Sequence, residues 1–323
     1  MIIKQFLSRL VTFPLILLLV NILGYAYAHY GRLAQLARNP LFVARQEPER
    51  FFPLYLDYLS NFLRGDWGVQ PGTNALSLRE LMTNSALASG GLILIAFLIS
   101  TMLGCAIGLN AVRTSPLRVS GWVIPVSTIS LAMPGFYIGA LLITASVFYL
   151  LFAPLDKKSL PFPLSGFGWD VHLVLPVIVL TVRPMMQTAQ TTATLLANEM
   201  RAMYVTAARS LGFSWKRVRW HVALRNILST MVVTIAGSLR MMVGELILVE
   251  WLFGWPGLGR LFATTIQPPN IATIASTVLP SSFLHPPLMA LIVTAFAALF
   301  LFIDLISVIL TLLVDPRLRR NEA

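Results

Sequence analysis

Cysteine occurs once in the 323 residues, as Cys105 inside an apolar run, which excludes an internal disulfide and a thiolate metal cluster. Histidine is nearly as scarce. His29, His172, His221 and His285 stand far apart, without the one-turn spacing of a helical metal site. Charge is the largest deficit: 11% of residues are charged, against the roughly 25% that a water-soluble chain uses to cover its exterior. With 57% hydrophobic residues and a mean hydropathy of +0.77, that exterior must face lipid. Acidic residues are few, 13 against 24 Lys and Arg, and the net charge of +11 would suit nucleic acid. The basic residues cluster between apolar runs instead, as the positive-inside rule places them, so nucleic acid is not an expected partner.

Motifs of chemistry are missing as well. There is no Gly-Lys-Ser or Gly-Lys-Thr phosphate loop, no nucleophile elbow and no zinc-protease helix. The stretch Gly254 to Gly259 contains Pro256 and follows an apolar run, which reads as a tight turn and not a nucleotide site. An enzyme with its own active site is not expected, no cofactor is expected on this chain, and any ATP must be hydrolysed elsewhere.

What the sequence has in abundance is long apolar runs. A helix needs about 20 residues to cross a hydrocarbon core about 30 Å thick. Six segments qualify: Leu10 to Ala28, Ala86 to Leu109, Val119 to Ala153, Val171 to Ala197, Leu228 to Phe253 and Leu288 to Val314. The third is overlong and interrupted by Pro125 and Pro134. The first, preceded by Lys4 and Arg9, is read as a retained helix because its apolar stretch exceeds a signal core. Arg113 and Arg118, and the basic segment from Arg201 to Arg225, mark cytoplasmic loops. Both termini are then inside, with residues 29–85 and 254–287 outside.

Between the fourth and fifth segments, Met200, Met203, Tyr204, Ala207, Ala208 and Leu211 repeat at helical spacing, with Arg201, Thr206, Arg209 and Ser210 opposite. Gly212 is a natural helix stop and Ser214 a cap for a second short helix. Such a helix would dock into a groove on another protein or lie on lipid headgroups among Trp215 and Trp220. Periodicity leaves both open.

Thr206-Ala207-Ala208 followed by Gly212 resembles the EAA loop of ABC importer permeases, in the version of the oligopeptide, dipeptide and nickel importers. Thr206 stands where that pattern begins with Glu. Further likenesses are Gly65-Asp66-Trp67-Gly68, the run Met133-Pro134-Gly135-Phe136-Tyr137-Ile138-Gly139, the stretch Val249 to Gly259, Asp304 and the closing Asp315-Pro316-Arg317. The resemblance implies an all-α integral membrane protein, a bundle of six transmembrane helices of the type I ABC importer permease kind. It implies one permease domain over 1–323, multi-pass in a bacterial inner membrane, with residues 198–226 as its coupling loop. Tyr204, Thr206, Ala207, Ala208, Arg209, Gly212 and Phe213 would meet an ATPase subunit. A second homologous permease, two ATP-binding subunits carrying ATP and Mg, and an external substrate-binding protein are the implied partners, beside the lipid bilayer.

Charges inside apolar spans are costly, so Arg183, Arg240, Glu245, Glu250 and Asp304 should face partners or a wet path. Glu250 suits a hydrogen bond to loop backbone at the outer boundary, and Asp304 an interhelical pair. Arg183 and Glu245 suit a pathway for a peptide, which carries a carboxylate and an ammonium. Pro134 and Gly135 break a helical ladder, as a hinge or a static kink. Pro256, Gly257 and Gly259 form the external turn. Other readings are the same fold carrying nickel chelates, sugars or exported cationic compounds, or, in a different class, a membrane scaffold or integral membrane enzyme.

Overall fold

Lipid offers no hydrogen-bond partners to a backbone, so the apolar runs close their own bonds as helices. The computed structural model describes residues 2–38, 50–70, 77–114, 117–152, 160–268 and 283–314. In order these form α1 (Ile2–Arg38), α2 (Phe51–Leu63), α3 (Leu78–Asn110), a hairpin of β1 (Val112–Thr114) and β2 (Leu117–Val119), α4 (Val123–Ala132) and α5 (Gly135–Phe152). There follow α6 (Val174–Glu199), α7 (Met203–Ser210), α8 (Trp215–Val218), α9 (Leu224–Phe253), α10 (Leu258–Ile266) and α11 (Pro286–Val314). Among the described residues six stretches are long and apolar enough to cross a membrane: Thr12–Gln35, Leu78–Asn110, Gly135–Phe152, Val171–Glu199, Trp215–Phe253 and Pro286–Leu310. The closing Asp315-Pro316-Arg317, Glu47, Glu49 and most of the stretch before α11 lie outside the described residues.

One expected span is corrected. Val119 to Ala153 is not one interrupted helix but two, because Met133 turns to φ −89°, ψ 121° and Pro134 supplies no N–H to continue the ladder. Pro125, by contrast, sits in the first turn of α4, where a missing N–H costs nothing. Only α5, of 18 residues, is long enough to cross, and α4 has 10.

The chain forms two compact units. In the first (Met1–Ser89 with Pro256–Leu301), α1 and α11 approach closely at Gly24, whose absent Cβ would overlap Val293 and come within 3.2 Å of the Ala290 Cα. Asn21 knots three helices: its Nδ2 donates to Tyr58 Oη at 3.2 Å and Thr294 Oγ1 at 3.0 Å, and Tyr55 Oη donates to its Oδ1 at 3.1 Å.

In the second unit (Gly90–Trp255 with Phe302–Ala323) α6 is central and packs on α4, α5 and α9. Gly104 and Gly108 let α3 lie directly on α6. A Cβ on Gly104 would stand 2.7 Å from the Met185 carbonyl oxygen, and one on Gly108 2.6 Å from that of Ala189. Four-residue spacing of glycines is how spanning helices gain contact without a hydrophobic driving force.

Candidate functional site: the loop between α6 and α9 and the polar pairs below it

The loop is built as a braced bracket. At its start Glu199, the one carboxylate between residues 198 and 226, accepts from the Tyr204 hydroxyl and from Asn226 Nδ2 at 2.9 Å, while Asn226 also donates to Tyr204 Oη at 3.1 Å. This triad ties the ends of α6, α7 and α9 together. Burial, with the Glu199 contact adding to it, pushes the Tyr204 phenol up to about 12, so it stays protonated as the donor.

At the far end of α7, Gly212 adopts φ +85° and closes the helix, its N–H donating to the Arg209 carbonyl at 3.0 Å and the Phe213 N–H to that of Ala208 at 3.2 Å. No atom lies within 4 Å of a Cβ added there, so the backbone conformation, not space, requires glycine. Arg209 spans the turn, donating to the Phe213 carbonyl and stacking 4.7 Å over Trp215, while Arg217 stacks 4.7 Å over Phe213. Ser214 Oγ accepts from the Arg217 N–H and caps α8. Arg219, at the start of a π-turn (Arg219–Ala223), donates to the Val112 carbonyl at 2.6 Å and fixes the loop to the β1–β2 hairpin.

The expected apolar face of α7 divides in two. Val205 is buried, and Tyr204 and Ala208 are half-buried against a core that includes Val112, Leu196, Met200, Val218 and Ile227. Met203, 89% exposed, and Ala207 and Leu211, also exposed, form a stripe facing away. The sequence placed Met203, Ala207 and Leu211 on one outward face with Met200, Tyr204 and Ala208, and the last three instead pack on the core. Apolar positions take up more than half of the helix circumference, and the supporting core reaches only part of that arc. Thr206 and Phe213 are likewise exposed.

Beneath the loop, charges within the spans meet in pairs. Arg183 on α6 forms an ion pair with Glu245 on α9, and its other terminal nitrogen donates to the Leu131 carbonyl at 3.1 Å. That carbonyl would be the helical partner of residue 135, and the α4–α5 break frees it. Gly135 completes the arrangement, because a Cβ on it would run into the Glu245 carboxylate. Arg240 on α9 lies 3.2 Å from Asp304 on α11. Glu250 is fully buried in the last turn of α9, where Gly254 at φ +67° caps the helix. The Trp255 N–H donates to the Glu250 backbone carbonyl at 2.9 Å, and the fully buried Trp255 ring meets Phe167 and Trp169. In the first unit, Gly257 precedes α10 in extended backbone, Gly259 is buried in its first turn, and the Leu258 N–H donates to Ser89 Oγ at 2.8 Å. Among the described residues no group of three His, Cys, Asp or Glu side chains is placed to hold a metal ion.

A braced loop that presents an apolar stripe is thus joined to spans whose internal charges meet in pairs. Residues 100–320 match the family model of the binding-protein-dependent transport system inner membrane component. The chain belongs to that family. Among its relatives, the oligopeptide transport system permease protein AppB of Bacillus subtilis (strain 168) is 26% identical over 82% of this chain and 79% of its own. The dipeptide transport system permease protein DppB of Lactococcus lactis is 26% identical over 82% of this chain and 80% of its own. The di/tripeptide transport system permease protein DppB of Pseudomonas aeruginosa is 28% identical over 66% and 69%. The chain is thus a multi-pass ABC transporter permease. Sequence reasoning missed Glu199 and the pairing of Arg183 with Glu245. The isolation of Glu199 as the loop's only carboxylate was the available signal for the first, and a separation of 62 positions hid the second.

Proposed function

We propose that this permease is a peptide-translocating subunit of a bacterial inner-membrane importer, and that α7 receives the motion of a separate ATPase subunit. The observation that carries the reading is the exposed stripe of Met203, Ala207 and Leu211 on a helix clamped at both ends, by Glu199–Tyr204–Asn226 and by Arg209 across Gly212. A two-turn helix held this way transmits displacement instead of absorbing it. Thr206 and Phe213, exposed beside the stripe, complete the contact surface.

In this reading residues 198–226 are cytoplasmic, as are both termini, and residues 29–85 and 254–287 are outside, with Pro256, Gly257 and Gly259 in the external turn. The permease pairs with a second homologous permease, two ATP-binding subunits that carry ATP and Mg, and an external substrate-binding protein. It binds no cofactor and has no ATPase site of its own. The peptide substrate is supported by relatives named for oligopeptide, dipeptide and di/tripeptide transport. Arg183 and Glu245, paired beside the Pro134–Gly135 break, are the groups on which a peptide's carboxylate and ammonium would act.

Uptake driven by ATP in reconstituted vesicles tests the coupling role. Gly212→Arg, which forces a side chain onto a left-handed backbone, is expected to leave the subunit inserted and copurifying with its partners while uptake is lost. Normal uptake by that variant overturns the assignment. Arg183→Ala or Glu245→Gln with unchanged uptake and unchanged assembly removes that pair from the pathway.

A further inference from the structure

Helix α2 carries more apolar surface than its packing uses. Its 13 residues divide into three stripes at 3.6 residues per turn. Phe51, Tyr55, Tyr58 and Phe62 pack toward α1: the Tyr25 ring lies 5.9 Å from Phe51, 5.3 Å from Tyr55 and 5.2 Å from Tyr58. Phe52, Leu56 and Leu63, at 73%, 59% and 76% exposure, form a second stripe beside the first. Asp57 and Asn61, with Arg64 just past the helix end, form a third, polar and exposed, on the far side from the other two. A helix on a water-soluble surface would present the polar stripe opposite a single packed one.

The depth of α2 follows from its contacts with α1. Tyr55 and Tyr58 hydrogen-bond Asn21, and Phe51 stacks near Tyr25, His29 and Tyr30. Asn21 lies inside the first span, 9 residues after Thr12 and 14 before Gln35. At 1.5 Å per residue, the contacts from Asn21 to Tyr30 cover a strip of roughly 14 Å that starts just before the middle of that span and runs into its second half. The apolar side chains of Leu23 and Tyr27 on α1 are exposed along the same strip, and Leu19 just before it. Aromatic side chains crowd the same level, as they do where hydrocarbon meets headgroups. Exposed Arg50 and Arg64 bracket α2 at its two ends, and long cationic side chains there reach phosphates while the helix sits deeper.

We infer that α2 is an in-plane membrane helix. It lies in the leaflet holding the second half of the first span, with Phe52, Leu56 and Leu63 among acyl chains and Asp57, Asn61 and Arg64 toward headgroups and water. The segment between the first two spans is therefore not wholly external: its helical portion is a lipid-anchored collar on α1. The inference is independent of substrate and of ATPase coupling.

Spin labels at single cysteines test it, in the full chain with Cys105→Ala and whatever partners copurify, held in phospholipid nanodiscs. Labels at Leu56→Cys and Leu63→Cys are expected to collide more with oxygen, which concentrates in acyl chains, than with a water-soluble nickel chelate. A label at Asn61→Cys should show the reverse order. Nickel access at Leu56 and Leu63 equal to that at Asn61 would overturn the inference by placing the stripe in water. Shielding of both positions from both reagents would overturn it too, by placing a protein surface there instead of lipid.

Discussion

Two ion pairs join spans within one unit of this permease, and they differ in how the chain surrounds them. Arg183 and Glu245 are 20% and 13% exposed, with a freed carbonyl at one end and a glycine at the other. Arg240 and Asp304 are 43% and 41% exposed, with no such frame among the described residues. A charge pair sealed from water binds its members tightly, because either one alone would be stranded, whereas an open pair is screened and each member has other company. The fold invests a helix break and a glycine in the first pair and neither in the second. The α4–α5 break is thereby tied to the ion pair, through the Leu131 carbonyl on one side and Gly135 on the other.

The largest expected effect follows from stranding one partner. Glu245→Gln leaves Arg183 uncompensated, and a loss of about 3–5 kcal/mol is expected, read as a large fall in the detergent melting temperature of the purified permease. Combining Arg183→Met with Glu245→Leu should recover most of that stability. If the pair also serves the pathway, the double variant folds and assembles but does not restore uptake. A smaller effect is expected from Gly135→Ala, whose methyl would push on the Glu245 carboxylate: about 1–3 kcal/mol, by the same melting measurement. Asp304→Asn should cost at most about 1 kcal/mol, and a loss matching that of Glu245→Gln would erase the distinction between the two pairs.

Much of this contrast was hidden in the sequence for a physical reason. Hydropathy reports spans because each must be apolar along its own length, and five of the six expected segments became single spanning helices. Local chemistry was equally readable: Pro134 ended a helix, Gly212 took positive φ and Ser214 capped α8. Partners between spans leave no periodic trace, so Arg183 and Glu245 were both noted without being joined. The apolar face expected on α7 did not show which of its residues the protein's own core would cover, because its apolar arc is wider than its support, and the 13 residues of α2 were not distinguished within the segment between the first two spans. In each case the missing information was what lies beside a helix, which a linear pattern does not carry.

The central claim is that α7 presents its exposed stripe to an ATP-hydrolysing partner. Its most direct test places a photoactivatable crosslinker on Ala207→Cys, in a Cys105→Ala background, in native membranes. The account predicts a crosslinked product containing an ATP-binding subunit, whose yield changes when nucleotide is added. Crosslinks to phospholipid alone, insensitive to nucleotide, would contradict it.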